Sequence, residues 1–148
     1  MITATNPAVD QAQIVKLFDH WAAAIRAKNV DARMSNYAPN VHVFDVLEPL
    51  QHVGSNAVRQ RAEDWFSSFA GDLNFELHDL RIAADGDTAF SHSLNHVSGT
   101  KKDGENLDMW WRATVCFRKM DDQWMVTHEH NSVPFNSQTG KASLYLKP

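Results

Sequence analysis

Cysteine is nearly absent from this chain, with Cys116 alone in 148 residues. A single thiol excludes an internal disulfide framework and every zinc pattern built on paired cysteines. No apolar run approaches the ~18–20 residues that cross a bilayer as a helix. Met1 to Asp10 lacks the basic start and apolar core of an export signal. Excess positive charge is missing too. Fourteen Lys and Arg stand against 18 Asp and Glu, a formal net charge of -4, so no basic stripe exists to neutralise phosphates. These absences exclude nucleic-acid and membrane partners and predict a cytoplasmic protein.

What is present is 43% hydrophobic residues, enough for one proper core, and the chain reads as a single domain over residues 1–148. Eight histidines and five tryptophans are the compositional oddities; they suggest a polar-lined aromatic cavity. Asn6-Pro7 is a helix start, with Asn as cap and Pro where a missing N–H costs nothing. From there Ile14, Phe18, Trp21 and Ile25 recur with a helical period, predicting a helix from about Pro7 to Ala27 with one buried stripe. Asp31 can cap a second, short helix ending around Tyr37 to Pro39. Val41 to Val46 reads as a strand with Val41, Val43 and Asp45 on one face. Gly54-Ser55 opens a third helix, whose Val58, Ala62, Trp65, Phe66 and Phe69 make another stripe.

After Gly71 the period changes from 3.6 to 2. A strand begins at Phe75-Glu76-Leu77, Asp85-Gly86 marks a hairpin, and Thr88 to Thr100 returns. Leu107 to Lys119 follows, with Met109, Trp111, Ala113, Val115 and Phe117 on one face and Trp110, Arg112, Thr114 and Arg118 on the other. The last strand runs from Gln123 to Val133. Strict alternation there puts His128, His130 and Ser132 on one face and Thr127, Glu129 and Asn131 on the other. Helices followed by a meander of long strands make an α+β pattern. The first helix, lying across the concave face of a curved sheet, would enclose a pocket walled by Phe18 and Trp21.

The order and motifs resemble the SnoaL-like, or nuclear-transport-factor-2-like, superfamily that includes ketosteroid isomerase. The resemblance rests on Trp21 to Ile25, on Tyr37 to Asp45, on Gly54 to Arg59, and on the closing Trp124-x-x-x-His128-Glu129-His130-Asn131-Ser132-Val133-Pro134. It implies a cone-shaped, cystatin-like fold, a curved antiparallel (mixed) sheet wrapped around a long N-terminal helix, and a homodimer paired through sheet faces. Asp45 falls on the position of the isomerase's general base. The tyrosine oxyanion donor falls on Trp21, and the protonated aspartate falls on Val115, which can donate nothing. An oxyanion donor is worth ~2.7–4 kcal/mol of barrier, so steroid isomerisation is not expected. In the same alignment His92, Leu94, His96, His128, His130 and Ser132 fall on cavity-facing positions.

Three readings of the histidines stay open from the residues themselves. They can be core imidazoles bonded to backbone, proton carriers beside Asp45, or metal ligands, since His-x-His on a strand is a legitimate spacing that His92, His96 and Asp45 could complete. Nothing in the spacing demands a metal, and the resemblance implies none, so no metal and no cofactor is expected. The expected function is a small-molecule pocket protein acting on a small apolar compound by proton transfer, as an isomerase, dehydratase or cyclase. Asp45, His128 and His130 would be its acid and base. Phe18, Trp21, His92, His96, Trp111, Val115 and Ser132 would line the substrate. The competing reading is a non-catalytic binding or association domain with the same cavity. Trp110, Arg112 and Glu129 are expected on the outer sheet face, at a subunit interface.

Overall fold

The computed structural model describes residues 6–148; residues 1–5, part of the segment for which no export signal is expected, lie outside it. Helix α1 spans Pro7–Arg26, started by the Asn6 side chain, which accepts from the Ala8 N–H at 3.1 Å. Ile14, Phe18 and Ile25 of the expected stripe are buried, together with Ala22, while Trp21 is only partly buried. Asp10 is buried as well. Its carboxylate sits in the first turn, where the helix dipole favours negative charge, and accepts from Lys119 Nζ at 2.7 Å. Arg26 Nη1 donates to the Phe75 carbonyl at 3.0 Å. The helix is therefore tied to the sheet at both ends. No described helix is long and apolar enough to cross a membrane.

Helix α2 is shorter than expected, Val30–Met34, and Asn29 rather than Asp31 caps it, accepting from Ala32 N–H at 3.0 Å. Residues 37–39 leave the helix for strand β1 (Tyr37–Phe44) because their backbone finds a strand partner. Strand β2 (His52–Val53) and helix α3 (Ser55–Ser67) follow. Then come β3 (Phe69–Asp85), β4 (Thr88–Lys101), β5 (Asn106–Met120) and β6 (Gln123–Ser132). The six strands form one sheet in the order β2-β1-β6-β5-β4-β3, antiparallel except where β1 meets β6. Strand β3 begins at Phe69, six residues before the expected start, so Phe69 belongs to the sheet and not to the stripe of α3.

The strand faces differ from the sequence expectation at two places. Along β6, Trp124 and Val126 point inward and are buried. The pairing then joins Phe117 to Val126 and Cys116 to His128, leaving Thr127 as an extra residue. This β-bulge inverts the parity of everything beyond it. Glu129 and Asn131 turn into the concave side, and His128, His130 and Ser132 turn out. Along β4 the inward residues are Ala89, Ser91, Ser93, Asn95 and Val97, all buried, so His92, Leu94 and His96 face outward.

Burial of the α1 stripe gives a direct check. Ile14 is fully buried, whereas its neighbour Val15 is 42% exposed. Ile14→Ala should lower unfolding stability by about 2–5 kcal/mol, and Val15→Ala should change it by less than about 0.5 kcal/mol. Equal losses in urea unfolding would contradict the placement of this helix.

Candidate functional site

Between α1, α3 and the concave sheet face lies a cavity of about 510 Å³, within the usual range for small-molecule sites, roughly 300–1,000 Å³. Its walls are mainly apolar and aromatic: Trp21, Phe75, Trp65 and Trp111, with Val43, Val97 and Met109 between them. Trp21 meets Phe75 edge-on at 5.3 Å between centroids, and Phe75 leans on Trp111 at 5.8 Å. Leu47, from the loop after β1, and Ala142 and Leu144, from the chain beyond β6, complete the rim. That tail is folded back by the Phe135–Ala142 bridge and by Ser143 N–H donating to the Pro134 carbonyl at 2.7 Å.

Three carboxylates line this space: Glu105 is exposed at its edge, and Asp45 and Glu129 lie further in. Glu129 is the deeper, 4% exposed. The Tyr37 hydroxyl donates to its Oε1, and Asn131 Nδ2 donates to its Oε2 at 2.9 Å. Asn131 is oriented in turn, because its Oδ1 accepts from Trp111 Nε1 at 3.2 Å. The chain of donors from Trp111 through Asn131 ends on Glu129, and Tyr37 closes it from the other side. A buried carboxylate costs much less free energy when it is satisfied in this way. Burial pushes the Tyr37 phenol well above its ordinary pKa; the neighbouring Arg33 charge opposes this and Glu129 reinforces it. Tyr37 is thus a neutral donor. The Trp21 indole N–H lies close enough to favour the Tyr37 oxygen electrostatically, yet it lacks hydrogen-bond geometry and has no partner.

Asp45 is the second carboxylate, one residue beyond β1 and on the cavity wall. Arg61 Nε donates to its Oδ2 at 2.7 Å, and the Val46 N–H donates to Oδ1 at 2.8 Å. His52 also lines the cavity, with a buried Nε2 that no protein group meets. Arg33 lines it from α2, its guanidinium stacked over Trp21 at 5.7 Å and over Tyr37 at 5.2 Å.

The other expected site residues divide. Trp21 and Trp111 are cavity walls. Phe18 and Val115 are buried beside a separate recess of about 30 Å³, also bordered by Glu129 and Tyr37; it is about the size of one water. His128 and His130 lie on the outer sheet face, edge-on to Phe44 at 4.9 and 5.4 Å, and His128 Nδ1 bonds the His42 carbonyl at 2.9 Å. The bulge at Thr127 separates them from Asp45 by the thickness of the sheet. His96 also faces outward, stacked on Trp110 at 4.5 Å and bonded to Asp108 at 2.7 Å. His92 is exposed, and Ser132 accepts from Arg112 Nε at 3.1 Å on the same outer face. Among the described residues no group of three or more His, Cys, Asp or Glu is arranged to hold a metal.

The residues the sequence did not point to are Tyr37, Glu129, Asn131, Arg33, Arg61 and His52. No signal for Glu129 was available, because alternation from Trp124 and Val126 places it on the outer face and only the bulge at Thr127 brings it in. The SnoaL-like domain family matches residues 14–136. The chain belongs to this family. Its SnoaL-like fold superposes on a nuclear-transport-factor-2-like protein of unknown function from Pseudomonas putida KT2440, with a TM-score of 0.87 and 34% identity over 95% of this chain and 98% of that one. A candidate dehydratase of the same superfamily from Streptomyces avermitilis shares the fold at 18% identity, with a TM-score of 0.75 over 86% and 97% of the two chains. A ketosteroid isomerase-like protein from Erwinia carotovora atroseptica does so at 18% identity, with a TM-score of 0.70 over 82% and 93%. No curated protein matches the chain significantly.

Tyr37→Phe removes one donor from buried Glu129 and should cost about 1–3 kcal/mol at neutral pH. A phenol whose pKa is raised on folding stabilises the native state fully below its unfolded pKa of 10.0 and loses that contribution as pH rises further. The stability gap between wild type and Tyr37→Phe should therefore shrink above about pH 10. Urea unfolding at neutral and alkaline pH measures it; a gap that does not shrink would contradict the neutral, buried donor.

Proposed function

We propose that this SnoaL-like chain is a small-molecule pocket protein that catalyses proton transfer, of the isomerase, dehydratase or cyclase type, on a small and largely apolar compound. Glu129 supports this reading more than any other feature, because it is a carboxylate fixed by Tyr37 and Asn131 inside an aromatic-walled cavity. Each carboxylate oxygen has lone pairs beyond the bond it already accepts, and low-dielectric walls strengthen its pull on a substrate proton. In the simplest step Glu129 takes a proton from a carbon beside a carbonyl, and the electron pair moves onto the carbonyl oxygen. The proton then returns to the same or a conjugated carbon. Atoms and electrons balance within the substrate. Asp45, held against Arg61 near the rim, positions the polar end of the substrate. The names of the Streptomyces and Erwinia relatives fit this class of chemistry.

Deuterium uptake from D₂O into a panel of aromatic ketones, followed by NMR, tests the step. Glu129→Gln keeps the shape and leaves one oxygen to accept from Asn131, with its NH2 turned to the Tyr37 oxygen, but it cannot take the proton; exchange should fall by about 10²–10⁴-fold while ketone binding stays within a few-fold. Asp45→Asn should weaken binding more than exchange. The alternative reading, a binding domain without chemistry, is favoured by both carboxylates being engaged by protein donors. Binding of the ketones by wild type without any exchange would decide for it.

The chain is also proposed to pair with a second copy through the outer sheet face. That face carries half-buried Trp110 and exposed Phe90, an unusual burden for a monomer. Charge runs along β5 from Asp108 to Arg112 and Arg118, so a two-fold axis would set the acidic end of one copy against the basic end of the other. Trp110→Arg should give a folded monomer in light scattering after size exclusion; an unchanged mass would reject this face.

A further inference from the structure

Among Arg33, Arg61 and Lys101, the lysine and arginines that line the cavity, the Arg33 side chain alone meets no oxygen of the described residues. Asp45 and Arg61 answer each other, and Glu129 is satisfied by Tyr37 and Asn131. Arg33 forms none of the ion pairs of the described residues. Its one hydrogen bond goes from Nη1 to the Met34 sulfur at 3.2 Å, a weak acceptor, and its Nε is buried with no partner. A guanidinium has five donors in a planar fork, and here not one of them meets an oxygen. Stacking on Trp21 and Tyr37 holds that fork rigid on the cavity wall, so little entropy is lost when an acceptor arrives.

Leaving a cation uncompensated in a largely apolar wall is costly unless something supplies the missing charge. The guanidinium lies over the face of the Tyr37 ring, whose hydroxyl occupies Oε1 of Glu129. An anionic group can dock on Arg33 without displacing that hydrogen bond. The remaining walls, Trp21, Phe75 and Trp111, are flat and apolar. They suit a ring system.

We infer that the cavity takes an aromatic monoanion, with a carboxylic acid as the simplest case, whose two oxygens dock on Arg33 while its ring lies between the tryptophans. This rests on the pocket reading above and names the class of ligand the pocket holds. Lys101 is the rival anchor at the other end of the cavity, but its Nζ is already engaged by Ser68 Oγ at 3.0 Å and by the Phe69 ring.

Calorimetric titration of benzoate, 2-naphthoate and phenanthrene-9-carboxylate, each against its neutral amide, tests the inference on the full chain. For at least one ring size the acid should bind wild type 10-fold or more tightly than the amide. Arg33→Gln should erase that preference and leave the amide affinity within two-fold, which also shows the variant to be folded. Arg33→Lys should restore part of it, and Lys101→Met should leave it intact. Acid and amide binding equally to wild type, or a preference that survives Arg33→Gln, overturns the inference while the pocket stands. Failure of every acid and amide to bind overturns the inference and the pocket reading together.

Discussion

Opposite Cys116 the last strand places two residues, Thr127 and His128, where its neighbour has one, and the face taken by each later side chain depends on that mismatch. Without the bulge, the burial of Trp124 and Val126 would carry His128 and His130 into the cavity and expel Glu129 and Asn131. With it, the cavity receives a carboxylate and an amide, and the imidazoles go to the opposite face. The Tyr37–Glu129 contact then joins β1 to β6 by side chains where the backbone pairing is already parallel. The chemistry of the cavity and the seam between two strands rest on one extra residue.

Glu129 is affordable in an apolar wall only because its neighbours were fixed first. Trp111 comes from β5, Asn131 from β6 and Tyr37 from β1, and each is held by sheet pairing rather than by a mobile loop. Asp45 contrasts with this. It follows the end of a strand, near the rim, and is held by Arg61 from α3. A rigid inner carboxylate and a peripheral ion pair suit different tasks, proton exchange at the first and orientation at the second.

Much of the architecture was legible in the chain. Most of the helical stripe from Ile14 to Ile25, the turn residues at Asp85-Gly86, and the alternation of β5 around Trp111, Val115 and Phe117 appear where the pattern places them. Asp45 reaches the cavity because Val41 and Val43 fix the parity of β1. Strand β4 could not be read in the same way. Its inward side is Ser91, Ser93 and Asn95 and its outward side includes Phe90 and Leu94, so hydrophobicity gives the wrong face. A strand polar on both sides leaves its register to its neighbours. Helix α2 was overestimated for a related reason, since local propensity at Tyr37 yields to pairing with Val126.

By itself the sequence determined the class of fold, because that follows from periodicities repeated over many residues, and its motifs pointed to the family. Tertiary structure alone decided which polar groups face that cavity. A single bulge reverses parity without leaving a mark in composition, and an arginine such as Arg33 is seen to lack a counter-ion only when every neighbouring element has taken its place.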